Sequence, residues 1–370
     1  MIIGVPRELK DHETRVGLVP AGVKELTTLG HTVLLETGAG QNSFFEDDEY
    51  RCAGAEVVAT AKELWSRAEL VCKVKDPIEP EYRFFRPGLL LFTYLHLAPL
   101  PELTEALLQN KVTAIAYETV EGPGGGLPLL EPMSEVAGRL AVQVGAQFLE
   151  RRYGGRGMLL GGIPGVPPAR VLILGGGIVG TNSAKIAIGL GAVVTIAERS
   201  AVRLRQLDDL FSGRVLTLAA NATTIAEAVA EADLVVGAVL IPGASAPKLV
   251  TSAMVKCMKR GAVIVDVAID QGGCIETAHP TTHTHPSYVL HDIVHYCVTN
   301  MPAAVPRTST LGLTNATFAY VRQLAEYGFA DAIQRDPGLR AGVNTYGGEL
   351  TYAAVAQAQN RPYRPVGELL

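Results

Sequence analysis

A glycine-rich turn between two apolar runs limits the possible folds of this chain more than any other segment. Residues 170–199 read RVLILGGGIVGTNSAKIAIGLGAVVTIAER, in which Gly175, Gly177 and Gly180 form the pattern G-x-G-x-x-G. The pattern follows a strand-like run and opens a helical stretch. The next strand-like run ends in Glu198, at about the 20-residue spacing of a dinucleotide-binding unit. The segment therefore predicts a βαβ unit that binds a dinucleotide.

Each glycine of this turn has its own physical role. Gly175 permits a tight turn, Gly177 lets the backbone approach a pyrophosphate, and Gly180 lets helix and strand pack closely. The N–H groups at the start of the helix then face the phosphates. A strand–helix turn that binds nothing is the alternative, and the surrounding strand, helix and acidic residue make it the weaker interpretation.

Glu198 bears on which dinucleotide is bound. Its carboxylate can accept hydrogen bonds from an adenosine ribose, and its charge would repel a 2′-phosphate. This favours NAD over NADP as the cofactor, although Arg199 and Arg203 nearby leave some room for the opposite preference.

Short apolar runs alternate with amphipathic stretches along the chain, which is typical of βα units around a parallel sheet. One series of strand-like runs covers residues 1–5, 31–37, 70–75, 88–95 and 112–119. After a Gly- and Pro-rich segment at 120–132, a second series covers 170–175, 193–198, 214–219, 233–240 and 262–270. A long helix is then predicted from about 313 to 328, and we expect it to return to the first domain.

These patterns predict an α/β protein with two Rossmann-like, doubly wound parallel-sheet domains separated by a cleft. The substrate domain is predicted to be discontinuous, with residues 1–130 and 307–370, and the NAD-binding domain to cover 131–306. A chain of 370 residues is long enough for two such domains.

Composition excludes several classes of function. The net charge of −5 and the lack of a basic block argue against nucleic acid and membrane partners. The apolar runs are shorter than the roughly 20 residues that a spanning helix needs. Five scattered cysteines without a CxxC pattern, and an N-terminus without a secretory pattern, predict a cytoplasmic protein with reduced thiols.

Five ionisable residues follow strand-like runs, where open parallel sheets bind their ligands. They are Arg15, Lys75, His96, Glu118 and Asp270. Each has an ordinary alternative role, such as a solvated lysine (Lys73 or Lys75), a salt-bridge partner, a turn cap or a core histidine. Their convergence near a predicted nicotinamide site favours a functional set. We further expect the apolar run before His96 to enclose its ring and to keep water scarce.

The segment HPTTHTHP carries His279, His283 and His285 close together. No nearby cysteine or carboxylate set completes a metal site, and proline and threonine surround the histidines. We therefore predict a solvent-exposed loop and no metal ion.

Taken in order, these segments resemble the L-alanine dehydrogenase family nearly end to end. The resemblance is carried by GVPRE, ETRVGLVP, KVKDP, YLHLA, PMSEVAGR, LGGGIVG, DVAIDQGG, HYCVTNMPAAVPRTST and LTNAT. It implies NAD-dependent oxidative deamination of L-alanine to pyruvate and ammonium, with the reverse reductive amination, by a homo-oligomer that is commonly a hexamer. The alternatives left open are the related NAD(H)-binding component of a nicotinamide nucleotide transhydrogenase, a non-catalytic NAD-binding regulator, and a dehydrogenase for a larger amino acid.

The resemblance also implies residue roles. Arg15, Lys75 and Asn300 would bind the substrate, and His96 and Asp270 would carry the proton chemistry. The cofactor would contact Ser134, Gly175, Gly177, Ile178, Val179, Gly180, Glu198, Arg203, Val239, Leu240, Val267, Ala268, Ile269, Asp270, Asn300 and Met301. Three departures stand out: Glu198 where the family usually has Asp, Ala220 where it often has Ser, and Asp76 in KDP where KEP is commoner. We expect the last to be harmless.

Overall fold

A computed structural model of the chain describes residues 1–239 and 246–370. The chain divides into two compact units. The first combines Met1–Met133 with Val305–Leu370, and the second is Ser134–Ala304. The chain therefore leaves the first unit after residue 133 and returns to it at residue 305.

The first unit is built on one eight-stranded sheet. Its strands, numbered in chain order, are β1 (Ile2–Val5), β2 (Thr32–Glu36), β3 (Glu56–Val58), β4 (Leu70–Cys72), β5 (Leu90–Thr93), β6 (Thr113–Ala116), β14 (Val343–Tyr346) and β15 (Glu349–Leu350). Their order across the sheet is β15-β14-β6-β5-β4-β1-β2-β3. Strands β1 to β6 are parallel, while β14 runs antiparallel to β6 and β15 antiparallel to β14.

Helices of the first unit connect and cover these strands. They are α1 (Pro20–Thr28), α2 (Asp47–Cys52), α3 (Ala61–Arg67), α4 (Glu79–Tyr82), α5 (Pro101–Gln109), α11 (Pro306–Arg335), α12 (Pro337–Ala341) and α13 (Ala353–Gln359). Helix α11 starts seven residues before the predicted residue 313, at a proline, whose missing N–H is no loss in a first helical turn. It is interrupted at Gly328, where φ is +73°.

The second unit contains a sheet with seven strands among the residues that the structure describes. They are β7 (Arg170–Leu174), β8 (Val193–Glu198), β9 (Leu216–Ala219), β10 (Leu234–Gly237), β11 (Val263–Asp266), β12 (Ser287–Leu290) and β13 (Ile293–Tyr296). Their order is β12-β13-β11-β10-β7-β8-β9, parallel except for β12. The helices are α6 (Glu131–Phe148), α7 (Ile178–Gly189), α8 (Ala201–Phe211), α9 (Ala222–Glu231) and α10 (Ser252–Lys256).

Both sheets are wound in the same way. Strands β3-β2-β1-β4-β5-β6 and strands β9-β8-β7-β10-β11 each follow the 3-2-1-4-5 order of a doubly wound fold. The order reverses between β1 and β4 in one unit and between β7 and β10 in the other, and ligands of such sheets bind beyond the carboxyl ends at this reversal. The predicted α/β class with two doubly wound sheets is confirmed.

Burial explains why the strands appear in the sequence as unbroken apolar runs. Every residue of β4, β5, β10 and β11 is buried, as expected when helices cover both faces of a parallel sheet. Strand β12 at the sheet edge is partly exposed and carries a weaker apolar signal, and it was not predicted. Among the described residues, no helix has both the length and the apolar character needed to cross a membrane.

Candidate functional site

The glycine-rich turn joins β7 to α7 at the strand reversal of the second unit. Gly175 has a φ of +100°, and a Cβ there would lie 2.9 Å from the carbonyl oxygen of Ala238. A Cβ on Gly180 would lie 1.9 Å from the carbonyl oxygen of Gly175, so helix and turn pack with no room for a side chain. A Cβ on Gly177, at the N-terminal end of α7, would meet nothing within 4 Å. The turn thus has no room for a side chain at Gly175 or Gly180, whereas the space next to Gly177 is open.

Glu198, at the end of β8, is bound to this turn by its carboxylate. One oxygen accepts the N–H of Gly176 at 2.9 Å and the other accepts the N–H of Ser200 at 2.9 Å. Partial burial opposes ionisation, but the backbone N–H groups of Ser200, Gly176 and Arg199 outweigh it and lower the pKa of Glu198. Because each carboxylate oxygen can accept a second hydrogen bond, Glu198 can still bind a hydroxyl pair.

Arg203 holds the same turn from the other side. Its Nε donates to the carbonyl oxygen of Gly176 at 2.7 Å, and its Nη2 donates to Thr181 Oγ1 at 2.9 Å. Its Nη1 donates to Gln206 at 3.0 Å. The guanidinium therefore stabilises the turn, and its predicted contact with the cofactor stays a prediction.

A cavity of about 620 Å³ lies over the turn, within the usual size range of a small-molecule site. Seven of the residues predicted to bind the cofactor line it: Ser134, Gly175, Gly177, Ile178, Val179, Glu198 and Val239. Arg199 and Ala220 also line it. An open backbone at a helix N-terminus, beside a carboxylate at the end of the next strand, fits the pyrophosphate and ribose of a dinucleotide.

The remaining predicted residues of the second unit lie on two neighbouring segments. Val267, Ala268 and Ile269 belong to the 3-10 turn Val267–Gln271, and Met301 begins the 3-10 turn Met301–Ala304. Leu240 lies outside the described residues.

The buried carboxylate of Asp266 fixes the first of these turns. It accepts the N–H groups of Ala268 at 3.1 Å, Cys274 at 2.9 Å and Ile275 at 3.2 Å. Asp266 has no exposed surface, and sequence reasoning did not assign it a role.

Asp270 and Asn300 are brought together across these segments. The backbone N–H of Asn300, which has a φ of +54°, donates to the Asp270 carboxylate at 3.2 Å. Asp270 is an exposed residue, four positions beyond the carboxyl end of β11. This contact joins two of the residues that sequence reasoning placed in the site.

The histidine-rich segment does not form a metal-binding cluster among the described residues. His279 stacks on Tyr288 with ring centroids 3.8 Å apart, and His283 Nε2 lies 3.3 Å from the carbonyl oxygen of Asn300. His285 is exposed.

In the first unit, Arg15 lies in the loop after β1 and is almost completely buried. Its Nε and Nη2 donate to the two carboxylate oxygens of Glu13 at 2.7 and 2.5 Å, and its Nη1 faces the Met133 Sδ at 2.9 Å. Burial opposes the charge of Arg15, but Glu13 outweighs it and raises the pKa of Arg15. A buried cation held in a fixed plane in this way is suited to pair with a small carboxylate.

Tyr94 connects two further residues of the predicted set. The Lys75 Nζ lies 5.9 Å from the centre of the Tyr94 ring, and the His96 ring centroid lies 5.8 Å from it at an interplanar angle of 32°. Tyr94 is buried and donates from its hydroxyl to the carbonyl oxygen of Leu129 at 2.5 Å. Burial raises the pKa of Tyr94, although the Arg15 charge opposes the shift, so the phenol stays neutral.

His96 lies three residues beyond the end of β5, in a left-handed backbone conformation with a φ of +48°. The Glu118 carboxylate holds this conformation by accepting the N–H groups of His96 at 2.5 Å and of Leu95 at 3.1 Å. The side chain of His96 is 43% exposed. The expectation that the preceding apolar run encloses the ring is therefore wrong, because the side chains of β5 are buried in the core of the unit instead.

Lys73 and Lys75 share strand parity, and the sequence left either as a possible solvated lysine while favouring Lys75 for the site. The structure excludes the solvated role for Lys73. Lys73 is buried with its Nζ 2.7 Å from Glu81 and 3.3 Å from Glu8. Glu8 in turn accepts the N–H groups of Val74 at 2.7 Å and of Lys75 at 3.3 Å. Lys73 is thus part of a buried ion-pair network that fixes the backbone from which Lys75 projects.

Sequence reasoning assigned no role to three residues of this site: Glu13, Tyr94 and Asp76. Asp76 is buried and lies 3.8 Å from His96 Nδ1. Glu13 lies in the segment ETRVGLVP, Tyr94 in YLHLA and Asp76 in KVKDP, but only their spatial contacts distinguish them from ordinary loop residues.

Taken together, two doubly wound units, of which one carries a glycine-rich turn and a fitting cavity, define a dinucleotide-binding enzyme class. The N-terminal domain model of the alanine dehydrogenase/PNT family matches residues 4–137, and the C-terminal domain model matches residues 141–353. The chain belongs to the alanine dehydrogenase/PNT family. Both the family and the fold imply a nicotinamide dinucleotide as cofactor.

Individual relatives are similar over their whole length. An alanine dehydrogenase of Bacillus subtilis is 58% identical over 371 residues, which cover 100% of this chain and 98% of the relative. An alanine dehydrogenase of Methanococcus maripaludis is 55% identical, with 100% of both chains covered.

Two solved structures are also similar to this chain over nearly its whole length. An L-alanine dehydrogenase matches with a TM-score of 0.95 and 54% identity, over 97% of this chain and 99% of that one. A transhydrogenase from Sinorhizobium meliloti matches with a TM-score of 0.84 and 26% identity, over 95% and 100% of the two chains.

Proposed function

We propose that this chain catalyses the NAD-dependent oxidative deamination of L-alanine to pyruvate and ammonium, and the reverse reductive amination. The observation that carries the proposal is identity of 55–58% over the full chain to alanine dehydrogenases. The transhydrogenase alternative is not favoured, since the matching transhydrogenase is only 26% identical.

A nicotinamide dinucleotide held at the glycine-rich turn by the residues around Gly177 and Glu198 would supply the hydride acceptor or donor. Arg15 is the proposed anchor of the substrate carboxylate, because its planar fork matches two oxygens and Glu13 keeps it oriented. Lys75 is proposed to polarise the carbonyl or imino group of the substrate at its Nζ. Asn300 is proposed to lie beside the substrate through its contact with Asp270.

His96 and Asp270 are the proposed groups for proton chemistry. Hydride leaves the Cα of an amino acid only while the amine is neutral, and water must then add to the iminium carbon. An imidazole is the side chain best matched to moving these protons near neutral pH. Asp270 can orient the attacking water or stabilise the iminium cation with its exposed carboxylate.

NAD, rather than NADP, is the proposed cofactor. Glu198 supports this preference, because its ionised carboxylate lies in the cavity wall where a ribose 2′-phosphate would bring a like charge.

Family resemblance further supports a cytoplasmic homo-oligomer, with a hexamer as the proposed size. Light scattering after gel filtration measures that size directly.

The decisive experiment follows NADH formation with a panel of L-amino acids and NAD. We expect turnover with L-alanine and little with larger side chains. Activity on none of them, together with hydride exchange between two nicotinamide nucleotides, would support the transhydrogenase alternative instead.

The His96→Ala variant tests the proposed proton carrier. We expect kcat to fall by about 10²-fold or more, because general acid–base catalysis contributes at least that much, while NADH binding is unchanged. His285→Ala is the matched control, since His285 is exposed and has no proposed role. Near wild-type turnover of His96→Ala would contradict the proposal for this residue.

A further inference from the structure

Asp76 contacts two charged or ionisable side chains although it is itself 4% exposed. Both of its oxygens accept hydrogen bonds from the Lys10 Nζ at 2.9 Å. Its Oδ1 also lies 3.8 Å from the Nδ1 of His96. This separation is longer than a hydrogen bond but within the reach of an ion pair with a protonated imidazole.

From this cluster we propose that Asp76 is a positioning residue for His96. It faces Nδ1, so that Nε2 is the ring nitrogen that exchanges protons with substrate or water. The proposal rests on the proposed function of the chain as an alanine dehydrogenase. It assigns a role to a position at which the chain departs from the commoner KEP segment.

Three neighbouring groups restrict the orientation of the His96 ring. Glu118 fixes its backbone, the Tyr94 ring lies beside it at 5.8 Å, and Asp76 faces one nitrogen. A side chain that is 43% exposed would otherwise sample several rotamers and both tautomers. A fixed carboxylate next to Nδ1 favours the tautomer with its proton there, as in other histidines whose second nitrogen does the chemistry.

Several charged or ionisable groups surround the pair. Asp76 and Glu118 bring negative charge, Lys10 brings positive charge to both oxygens of Asp76, and the Lys75 Nζ lies 5.9 Å from the centre of the Tyr94 ring. Tyr82 adds a neutral phenol near Asp76. Burial opposes ionisation of Asp76, but its contacts with His96 and Lys10 outweigh burial and lower its pKa to about 2. The carboxylate is therefore ionised at every pH at which the enzyme would work.

A simpler account makes Asp76 only the partner that anchors Lys10 to the loop after β4. That account predicts that the acid limb of the pH profile stays in place when Asp76 or Lys10 is substituted, whereas the positioning role predicts that it moves in opposite directions in the two variants. Asp76→Asn removes a negative charge beside the imidazole, so the acid limb of the kcat/KM profile for L-alanine should move to lower pH. Lys10→Met removes the cation that partly neutralises Asp76, so the acid limb should move to higher pH.

We expect Asp76→Asn to move the acid limb to lower pH and to lower kcat about tenfold, with the KM for NAD unchanged. Asp76→Glu, which restores the charge, should return the acid limb to its wild-type position. Lys10→Met serves as the matched control for lost packing, because it breaks the Lys10 contact while keeping that of His96. An unmoved acid limb in Asp76→Asn, or equal shifts in both variants, would overturn the proposal.

A second measurement is independent of turnover. Protein carrying histidine labelled with ¹³C at Cε1 is titrated by NMR, with the His96 signal assigned by its loss in His96→Asn. The His96 midpoint should move down in Asp76→Asn and up in Lys10→Met. If wild-type protein lacks alanine activity but these shifts occur, the proposed function fails and the pairing stands, whereas active protein without the shifts refutes the pairing alone.

Discussion

The two units have the same strand order, but different chemical groups lie at the point where that order reverses. In the second unit, the turn after β7 presents backbone: glycines without room for side chains, an open N–H end of α7, and one carboxylate that binds the turn itself. In the first unit, the loops after β1 and β4 present charged side chains, each fixed by a second charge beneath or beside it.

This difference follows from the chemistry that each reversal is proposed to handle. A pyrophosphate needs many N–H donors and a close approach, which backbone provides without desolvating a side chain. A small amino acid that must exchange protons needs a few side chains whose charge and direction are set. Such charges are stable in a low-dielectric loop only when partners hold them there.

Substitution of Arg15 is the strongest test of the view that the first unit depends on charged side chains held by partner charges. Arg15→Met removes the cation that both oxygens of Glu13 bind, and breaking a buried ion pair destabilises a protein by about 3–5 kcal/mol. We expect that loss in the free energy of unfolding, measured by denaturant titration, together with loss of alanine turnover.

The double variant Arg15→Met, Glu13→Leu separates stability from function. Replacing both members of a buried pair with apolar residues is often neutral, so stability should largely return. Activity should stay absent, because the proposed carboxylate anchor is gone. Recovery of turnover in the double variant would show that Arg15 has only a structural role.

The glycine turn gives a matched pair of substitutions for the backbone side. Gly180→Ala places a Cβ 1.9 Å from a backbone oxygen, and we expect it to destabilise the protein by about 1–3 kcal/mol. Gly177→Ala meets nothing within 4 Å, so thermal stability should be unchanged while the Kd for NADH rises. Equal effects of both variants on stability would contradict the view that the turn is closed at one glycine and open at the other.

The smallest expected effect concerns cofactor preference. Glu198→Ala should lower the kcat/KM ratio of NAD over NADP about tenfold, because a like charge facing the 2′-phosphate is removed. Arg199→Ala is the matched control, since Arg199 lines the same cavity with the opposite charge and should change the ratio the other way. An unchanged ratio in Glu198→Ala would contradict the role given to this carboxylate.

Much of the fold could be predicted because parallel strands buried on both faces appear as local apolar runs. Strands β7 to β11 match the five predicted runs of the second series. Short strands at or near the sheet edges, such as β3, β14 and β15, carry too few apolar residues to be recognised. The first turns of α11 were not predicted either, because the polar residues that follow Pro306 obscure the apolar pattern of a helix.

The candidate site was less predictable where it depends on ion pairs. His96 was expected to follow the strand with its ring enclosed by the apolar run. It does lie beyond the end of β5, but its side chain is 43% exposed. Lys73 and Lys75 have equivalent positions in the sequence pattern, and only the positions of Glu8 and Glu81 make one of them structural. The expectation that Asp76 is a harmless replacement stays a prediction, and the sequence did not reveal that its Oδ1 lies 3.8 Å from the His96 Nδ1.

The two doubly wound sheets and the glycine turn could be predicted from the sequence, because backbone conformation and apolar periodicity are local properties of the chain. Which charged residues meet depends instead on how distant segments pack. Glu13 and Arg15 are neighbours in sequence, but the network of Glu8, Lys73 and Glu81 joins residues up to 73 positions apart, and Lys10 and Asp76 are 66 apart. Electrostatic partners are set by distance in space and by burial, and neither quantity is written into the spacing of residues along the chain.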